Sequence, residues 1–345
     1  MKRTLKVLLI FDYPNPAPKE SWDEVLATED LKCEREVVEA LRGLGHEVRV
    51  LGIHDRIEPL VDEVREHPPE IVFNLAEAFA EDREHEASIA GLLEMLGVAY
   101  TGCGPGSLTI CRHKAFTKRI LSPHRIHVPS SILFLRGRPM RSLRPLKFPV
   151  FVKPLGLEGS DGIAQSSFAE SAEACLERVR FLHDSLQTDA LVEEYIDGRE
   201  CYSGVIGVER LKVLPLREMV FTKFPEERPK FASFKAKWDE SFRKRWGIEN
   251  TFAVEIPDGL AEKIARLSRT VFRALQLEGC ARLDLRITAE NVVYVIEVNP
   301  NPGLASDDEI AQAAAKAGIP YPQLIQQIVS FGLQRSRIRA GTASQ

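Results

Sequence analysis

Two short runs near the end of the chain constrain it most. Ala281-Arg282-Leu283-Asp284-Leu285 is followed by Val295-Ile296-Glu297-Val298-Asn299-Pro300-Asn301-Pro302-Gly303. Both read as apolar strands, and as neighbours. Side chains alternate along a strand, so Glu297 and Asn299 share a face while Val298 points the other way. Their Cβ atoms then lie about 7 Å apart, and Asp284 can meet them from the partner strand. Three oxygen donors without sulfur suit a hard cation such as Mg²⁺, which keeps waters and borrows phosphate oxygens. The pair of runs points to a metal–nucleotide site.

With 345 residues the chain has room for two or three domains and a sizeable core. A net charge of −4 gives no basic field that calls for nucleic acid or an anionic membrane as partner. No apolar run approaches the ~18 residues needed to cross a bilayer. The apolar run ending at Phe11 is short, and Asp12 and Pro14 follow it without a small-residue cleavage site. It reads as a first buried strand rather than a signal peptide. Cys33, Cys103, Cys111, Cys175, Cys201 and Cys280 lack C-x-x-C spacing. They read as reduced thiols, in keeping with a cytoplasmic location. The eight histidines show no zinc-ligand spacing.

Strands are expected at 5–11, 47–52 and 70–74. A helix between the first two carries Val37, Val38, Leu41 and Leu44 on one face and closes at Gly45. Alternating strand and helix argues for a small parallel α/β domain. Residues 12–28 hold three prolines and read as a long loop. A helix with Ile89, Leu92, Leu93 and Leu96 on one face ends at Gly97, and 102–106 is a turn-rich boundary. A second unit has a basic helix near 110–121, a strand at 150–153 and a helix near 171–183. A third begins near 191, with strands at 191–195, 202–208 and 212–216 and a charged, aromatic loop at 222–250. A helix bearing Ile264, Leu267, Val271, Phe272 and Leu275 follows, then the two opening runs and a last helix near 321–333. From Arg335 the chain reads as polar and frayed. The expected division is 1–104, 105–190 and 191–334, with 335–345 as a tail.

Phe148-Pro149-Val150-Phe151-Val152-Lys153-Pro154 is an apolar strand that ends in a lysine and runs into Gly156, Gly159, Ser160 and Gly162. A buried strand rarely ends in a lone cation without a partner, and phosphate is one. The glycines let backbone N–H groups approach a polyphosphate closely. Taken alone, a glycine-rich hairpin turn is the commoner explanation; beside Lys153 and the triad Asp284, Glu297 and Asn299, phosphate wins. In Leu191-Val192-Glu193-Glu194-Tyr195-Ile196-Asp197-Gly198-Arg199-Glu200, Glu200 can take ribose hydroxyls. Backbone groups near Tyr195 and Ile196 can read an adenine edge. By itself an acidic strand end is solvated surface. Lys114 and Lys118, one helical turn apart, read alone as a solvated basic face. Lys235 and Lys237 share one face of an extended segment beside Trp238, and that too reads alone as surface.

In this order the motifs resemble the ATP-grasp superfamily, and within it the D-alanine–D-alanine ligases, over roughly 70–333. The glycine loop after Val152-Lys153-Pro154, the Leu191–Ile196 hinge, Ala281–Asp284 and Glu297–Gly303 carry the resemblance. So do Phe73-Asn74, the run from Leu92 to Gly102, His113-Lys114 with Thr117-Lys118, and Ala317-Gly318-Ile319 with Leu324-Ile325. The resemblance implies a three-domain α/β ATP-grasp architecture: an N-terminal parallel α/β domain, and ATP held between central and C-terminal domains. It implies that Lys114 and Lys153 bind the nucleotide. Glu193, Tyr195 and Ile196, with Glu194 beside them, hold adenine, and Glu200 holds the ribose. Gly159 and Ser160 sit in the phosphate-covering loop. Lys237 contacts the transferred phosphate, and Arg282 stabilises the acyl phosphate and tetrahedral intermediate. Asp284, Glu297 and Asn299 bind two Mg²⁺, with Mn²⁺ as an alternative. Gly303 and Ser306 border the second-substrate pocket. The implied reaction is carboxylate attack on the γ-phosphate of ATP, then displacement of phosphate by an amine to form an amide. Lysine, arginine and magnesium clamps are the expected catalytic groups, under loops that close and exclude water. The substrates implied are small carboxylates and amines, amino acids among them, and a homodimer is expected. The alternatives are an ATP-grasp ligase with other substrates and a non-catalytic nucleotide-binding module.

The departures concern substrate. The resembled ligases carry a glycine-rich turn and a Glu directly after the first strand; here that place is Asp12-Tyr13-Pro14-Asn15-Pro16. Cys33-Glu34-Arg35-Glu36-Val37 looks like the missing motif further along, and Glu77 is another candidate. Trp238 replaces a tyrosine, removing a hydroxyl. Asp307 and Asp308 stand where the family is less acidic, which suits a cationic or larger amine.

Overall fold

The computed structural model describes residues 3–14, 21–157, 160 and 162–343. Gly159, Asn15 and Pro16, named above, lie outside the described residues. The first sheet holds β1 (Lys6–Asp12), β2 (Glu47–Ile53) and β3 (Ile71–Asn74), all parallel, in the order β2-β1-β3. β1 is apolar without a break from Val7 to Phe11 because both of its faces are covered. Leu8 and Ile10 pack with Ile89 and Leu93 of helix Glu86–Met95. Val7, Leu9 and Phe11 pack instead in the core that holds Val37 and Leu41 of helix Lys32–Gly43 and Leu324, Ile328 and Val329 of helix Tyr321–Ala343. Both expected stop signals operate: Gly45 and Gly97 adopt φ of 85° and 67°, where a side chain would strain the backbone.

The second sheet holds β4 (Ser131–Phe134), β5 (Val150–Pro154), β6 (Phe168–Ala169) and β7 (Ala190–Glu194). It is antiparallel in the order β4-β7-β5-β6, with helix Ala172–Asp184 packed on it through Cys175, Val179 and Leu182. The strand expected to open the third unit at 191–195 is therefore an interior strand of the second sheet. Hydrogen-bond pairing with β4 and β5, which alternation cannot reveal, decides this.

The third sheet holds β8 (Arg199–Gly207), β9 (Lys212–Val213), β10 (Arg217–Phe221), β11 (Ile248–Phe252), β12 (Gly279–Ile287) and β13 (Val293–Asn299). Its order is β11-β10-β8-β12-β13, with β9 on β8. Helix Leu260–Ala274 packs Ile264, Val271 and Phe272 into the core that contains Leu283 and Leu285.

Several expectations need correction. The basic helix near 110–121 is two helices, Pro105–Arg112 and Lys114–Leu121. His113 breaks the first and caps the second, its Nδ1 accepting from the Phe116 amide at 3.3 Å. The strand expected at 212–216 shrinks to the two residues of β9. The region 222–250 is not one loop: it contains helices Phe234–Trp238 and Glu240–Trp246 and the start of β11. Lys235 and Lys237 consequently do not share a face. Two positions apart on a helix is about 200°, and Lys235 is exposed while Lys237 reaches the cleft described below. Nor does the chain fray at Arg335, since the last helix runs to Ala343. Arg335 is buried, donates to the carbonyls of Tyr100 (2.7 Å) and Gly102, and lies 3.8 Å over the Tyr100 ring. A sequence-polar arginine thus supplies donors that the turn at 100–102 lacks.

Arg335→Ala should lower stability by about 3 kcal/mol, because it strands the carbonyls of Tyr100 and Gly102 and removes the packing over the Tyr100 ring. Urea unfolding followed by circular dichroism measures this.

Candidate functional site

A cleft with about 570 Å³ of empty space, its mouth included, opens between the second and third sheets. Its floor is the β12–β13 ladder. Asp284 stands directly opposite Glu297, and Arg282 opposite Asn299. The ladder then slips, so that Leu285 faces Val295 and Ile296 is an extra residue. Such a bulge resets the alternation. Val295 is buried in the core at 1% exposure, while Ile296 and Glu297, consecutive in sequence, both line the cleft. Asp284 Oδ1 accepts from Arg282 Nε at 2.7 Å and from Asn299 Nδ2 at 3.2 Å, and Oδ2 accepts from Arg282 Nη2 at 3.1 Å. The three expected metal donors therefore meet on one patch of sheet. Burial disfavours a charged Glu297, but Lys114, Lys153 and Lys237 hold its carboxyl down at about 2. Two carboxylates and an amide oxygen, with no sulfur or imidazole, fit a hard divalent cation.

Facing this floor is a buried charge cluster. Glu193 of β7 stands opposite Phe151 of β5, and Lys153, two residues on, projects from the same face. Lys153 Nζ pairs with one Glu193 oxygen, and Lys118 Nζ lies 3.0 Å from the other. Lys118 also donates to the Ile296 carbonyl at 3.1 Å. Lys114 Nζ lies 3.0 Å from Glu297 Oε1 and donates to the Leu157 carbonyl at 3.1 Å. All three lysines and Glu193 are buried, so Lys114 and Lys118 form no solvated face. Burial, helped by Lys153, lowers the Lys118 pKa against the pull of Glu193. Burial opposes ionisation of Glu193, yet Lys118 and Lys153 hold its pKa below the usual carboxylate value. Glu193, expected beside adenine, commits its carboxylate to the lysines.

One wall is aromatic, with Phe151 and Phe231 edge to face at a ring separation of 4.7 Å. Tyr195 and Ile196 also line the cleft, and Glu194 Oε1 accepts from the Lys147 amide at 3.0 Å. Glu200 pairs with Arg286 at 2.6 Å, and Arg286 donates to the carbonyls of Gly198 (2.7 Å) and Lys230 (2.6 Å). The two loops above the floor touch: Ser160 Oγ donates to the Ala232 carbonyl at 2.8 Å, and the Phe234 amide to the Ile163 carbonyl at 3.2 Å. Trp238 faces outward, 63% exposed.

The candidate first-substrate residues lie outside this lining, beside the first sheet. Asp12 ends β1, and its Oδ1 accepts from the Glu77 amide at 2.9 Å. Burial raises the Glu34 carboxyl, with Asp12 and Glu77 adding to the effect. The candidates Glu34 and Glu77 thus gather with Asp12 near the carboxyl ends of parallel strands, where open α/β sheets bind ligands. Ser306 is held by Glu36, through its amide at 2.6 Å and its hydroxyl at 2.9 Å. Sequence reading missed Arg286 and, although it singled out the motif containing Glu36, the contact of Glu36 with Ser306. Only their partners across 86 and 270 positions of chain reveal them.

A family model for the C-terminus of D-ala D-ala ligases matches residues 139–330. The chain belongs to that ligase family. It is 27% identical over 300 residues to the D-alanine–D-alanine ligase of Gluconobacter oxydans, covering 86% of this chain and 92% of that protein. It is 29% identical over 336 residues to an uncharacterized protein of Sinorhizobium fredii, covering 94% and 93%. In three dimensions it is similar to D-alanine–D-alanine ligase from Bacillus anthracis complexed with ATP, with a TM-score of 0.74 at 19% identity over 97% and 99% of the two chains. That likeness shows the ATP-grasp α/β fold expected from the motifs. The chain is an ATP-using, amide-forming ligase of the D-alanine–D-alanine ligase type. No helix among the described residues is long and apolar enough to cross a membrane.

Glu193→Gln should cost about 3 kcal/mol at pH 7, because Lys118 and Lys153 lose their buried counter-charge. The folded-state pKa of Glu193 is lowered, so its contribution is present above the ordinary carboxylate range and fades as pH falls through it. The gap between wild type and variant should therefore narrow from pH 7 to pH 3. Urea unfolding at several pH values reads the gap.

Proposed function

We propose that this ligase activates the carboxylate of one small amino acid as an acyl phosphate and joins it to an amine in the cleft between the two antiparallel sheets. One observation carries the reading: Asp284, Glu297 and Asn299 lie with Arg282 on a bulged ladder, faced by Lys153 and Lys237 and roofed by touching loops. Adenine would lie against Phe151 and Phe231 with the 194–196 backbone at its edge, and Glu200 would take the ribose. Lys114 and Lys153 would hold the phosphates, while Lys118 keeps Glu193 compensated as Lys153 turns to the nucleotide. Asp284, Glu297 and Asn299 would hold magnesium, two ions in the family pattern, with Mn²⁺ as an alternative. When bound, the metal would neutralise charge on the phosphate oxygens.

Arg282 is fixed by two hydrogen bonds to Asp284, and its guanidinium pKa is raised: burial opposes the charge, but Asp284 more than offsets it. It would present its remaining N–H groups to the oxyanion of the tetrahedral intermediate without reorganising. Lys237 would follow the transferred phosphoryl group. Ser160, Gly159 and the 230–234 segment would exclude water from the acyl phosphate, which otherwise hydrolyses. Beside the first sheet, Glu34 with Asp12 and Glu77 would take the ammonium of the first amino acid. Gly303 and Ser306 would border the acceptor pocket. The reading implies a cytoplasmic enzyme of small molecules and, by likeness to the family, a homodimer.

Purified protein with ATP and Mg²⁺ should release phosphate only when an amino acid is supplied, and mass spectrometry should find an amide product. Phosphate release that ignores amino acids and yields no amide would overturn the reading. Arg282→Lys should lower kcat by about two orders of magnitude. Glu297→Gln should abolish turnover while the far-UV circular dichroism stays native; near-normal activity would remove Glu297 from the metal site.

A further inference from the structure

Arg217 is buried, 7% exposed, yet it forms no ion pair among the described residues. It stands in one cross-strand row with the metal floor. Glu297 is opposite Asp284, Asp284 opposite Tyr202, and Tyr202 opposite Arg217, so all four side chains share one face of the sheet. Neighbouring strands lie about 4.8 Å apart, which puts the Arg217 backbone about 10 Å from that of Asp284. The guanidinium lies 4.6 Å over the Phe252 ring, and its Nη2 donates to the Asn250 carbonyl at 3.1 Å. That is its one hydrogen bond among the described residues, and Nε is buried without a partner. Burial lowers its pKa against the pull of Glu309, whose own carboxylate accepts from the Asn250 side chain. Buried arginines are rarely left unpaired, because a desolvated charge is costly. The fold thus holds a cation for an anion that comes from outside the chain.

Glu309 ties Arg217 to the reacting end, since it acts electrostatically on both Arg217 and Arg282. It is the first residue of helix Glu309–Lys316. Asp308, before it, has the φ of −70° and ψ of 160° of an N-cap residue but caps no amide of the helix. Its Oδ2 accepts instead from the Ala305 amide at 2.9 Å. The opening amides of the helix therefore lack a side-chain cap and favour a negative charge beside them. The acids that in sequence suit a cationic amine are spent locally, Asp307 on Lys32 at 2.7 Å and Asp308 on Ala305. Other cations on this side have partners. Arg243 donates to the Ala236 carbonyl and to Asn250 Oδ1, Arg286 pairs with Glu200, and Arg282 gives two N–H groups to Asp284.

We propose that Arg217 receives the α-carboxylate of the acceptor amino acid and so sets the preference for acceptors that carry one. This rests on the amide-ligase reading. In an α-amino acid the carboxylate carbon lies about 2.5 Å from the nitrogen. A nitrogen that attacks the acyl phosphate beside Arg282 therefore brings its carboxylate within an arginine side chain's reach of the neighbouring strands. Arg282 and Arg217 flank Tyr202, Arg282 lying 5.4 Å over its ring and Arg217 standing opposite it on β10. With the remaining N–H groups of Arg282 turned to the oxyanion, Arg217 is the cation left for the carboxylate, and its planar fork matches two oxygens. Without Arg217, the negative charges of Asp308 and Glu309 would face the acceptor carboxylate with less to offset them.

Hydroxylamine, which traps acyl phosphates as hydroxamates, first identifies a donor among D-alanine and the common L-amino acids. With that donor, the same amino acids are offered as acceptors, and amide products are read by mass. The best acceptor is then compared with its own α-carboxamide. The wild type should favour the free acid at least about tenfold in kcat/KM. Arg217→Gln should cut that preference at least about tenfold, and Arg217→Met, as a second neutral variant, should cut it the same way. Arg217→Lys, which keeps the charge but not the fork, should fall between. A merely structural loss lowers both acceptors together and leaves the ratio unmoved. Equal use of acid and amide by wild type, or a ratio unmoved in both neutral variants, overturns the role of Arg217. Hydroxamate without product from any free amino acid overturns it too and leaves the ligase reading standing. Absence of hydroxamate from every donor overturns the ligase reading itself, and the inference with it.

Discussion

The cleft depends on one irregularity in hydrogen bonding, the bulge at Ile296. By adding one residue to β13 it lets two consecutive side chains face the same space while Val295 and Val298 remain in the core. It also frees the Ile296 carbonyl to receive Lys118. Lys118 in turn meets Glu193 of the opposite sheet, and Glu193 meets Lys153 on the neighbouring strand of that sheet. A strand distortion thereby ties the two walls together through one line of charges. Such buried charges are weak sources of net stability, because desolvation offsets much of their attraction. What they supply is placement: lysines held at fixed points by a carboxylate that is ionised despite its burial.

The end beside the first sheet is built differently. The first sheet shares a core with the last helix and with helix Glu309–Lys316, so helix Lys32–Gly43 is held against the turn that carries Ser306. Burial of aliphatic side chains drives that docking, and the polar contacts of Glu36 with Ser306 set its register. The acids of this end come from parts of the chain far apart in sequence, Asp12 at the end of β1, Glu34 on helix Lys32–Gly43 and Glu77 after β3.

Much of the fold was legible because it rests on period. The unbroken apolar run at Val7–Phe11, the stripe ending at Gly97 and the alternation Glu297-Val298-Asn299 each have one comfortable backbone conformation. The acidic floor and Lys153 were legible because oxygen donors and a lysine at strand ends have few uses other than cations and phosphate. Less was legible where neighbours decide. Lys114 and Lys118 resemble any exposed basic helix until Glu297 and Glu193 are seen beside them. Lys235 and Lys237 parted because Ser233, accepting from Ala236 N at 3.3 Å, starts a helix where an extended segment was expected. Arg335 belongs to the interior only because the carbonyls of Tyr100 and Gly102 await it.

The sequence by itself determined the local conformations, the identity of the donor groups and the family, since backbone preference and side-chain chemistry are properties of short stretches. Tertiary structure alone decided strand partners, the membership of β7 in the second sheet, the assignment of Glu193 to its two lysines and the direction of the Asp308 carboxylate. Those are matters of proximity between residues tens to hundreds of positions apart. Chain entropy leaves them undetermined until burial and pairing bring the segments together.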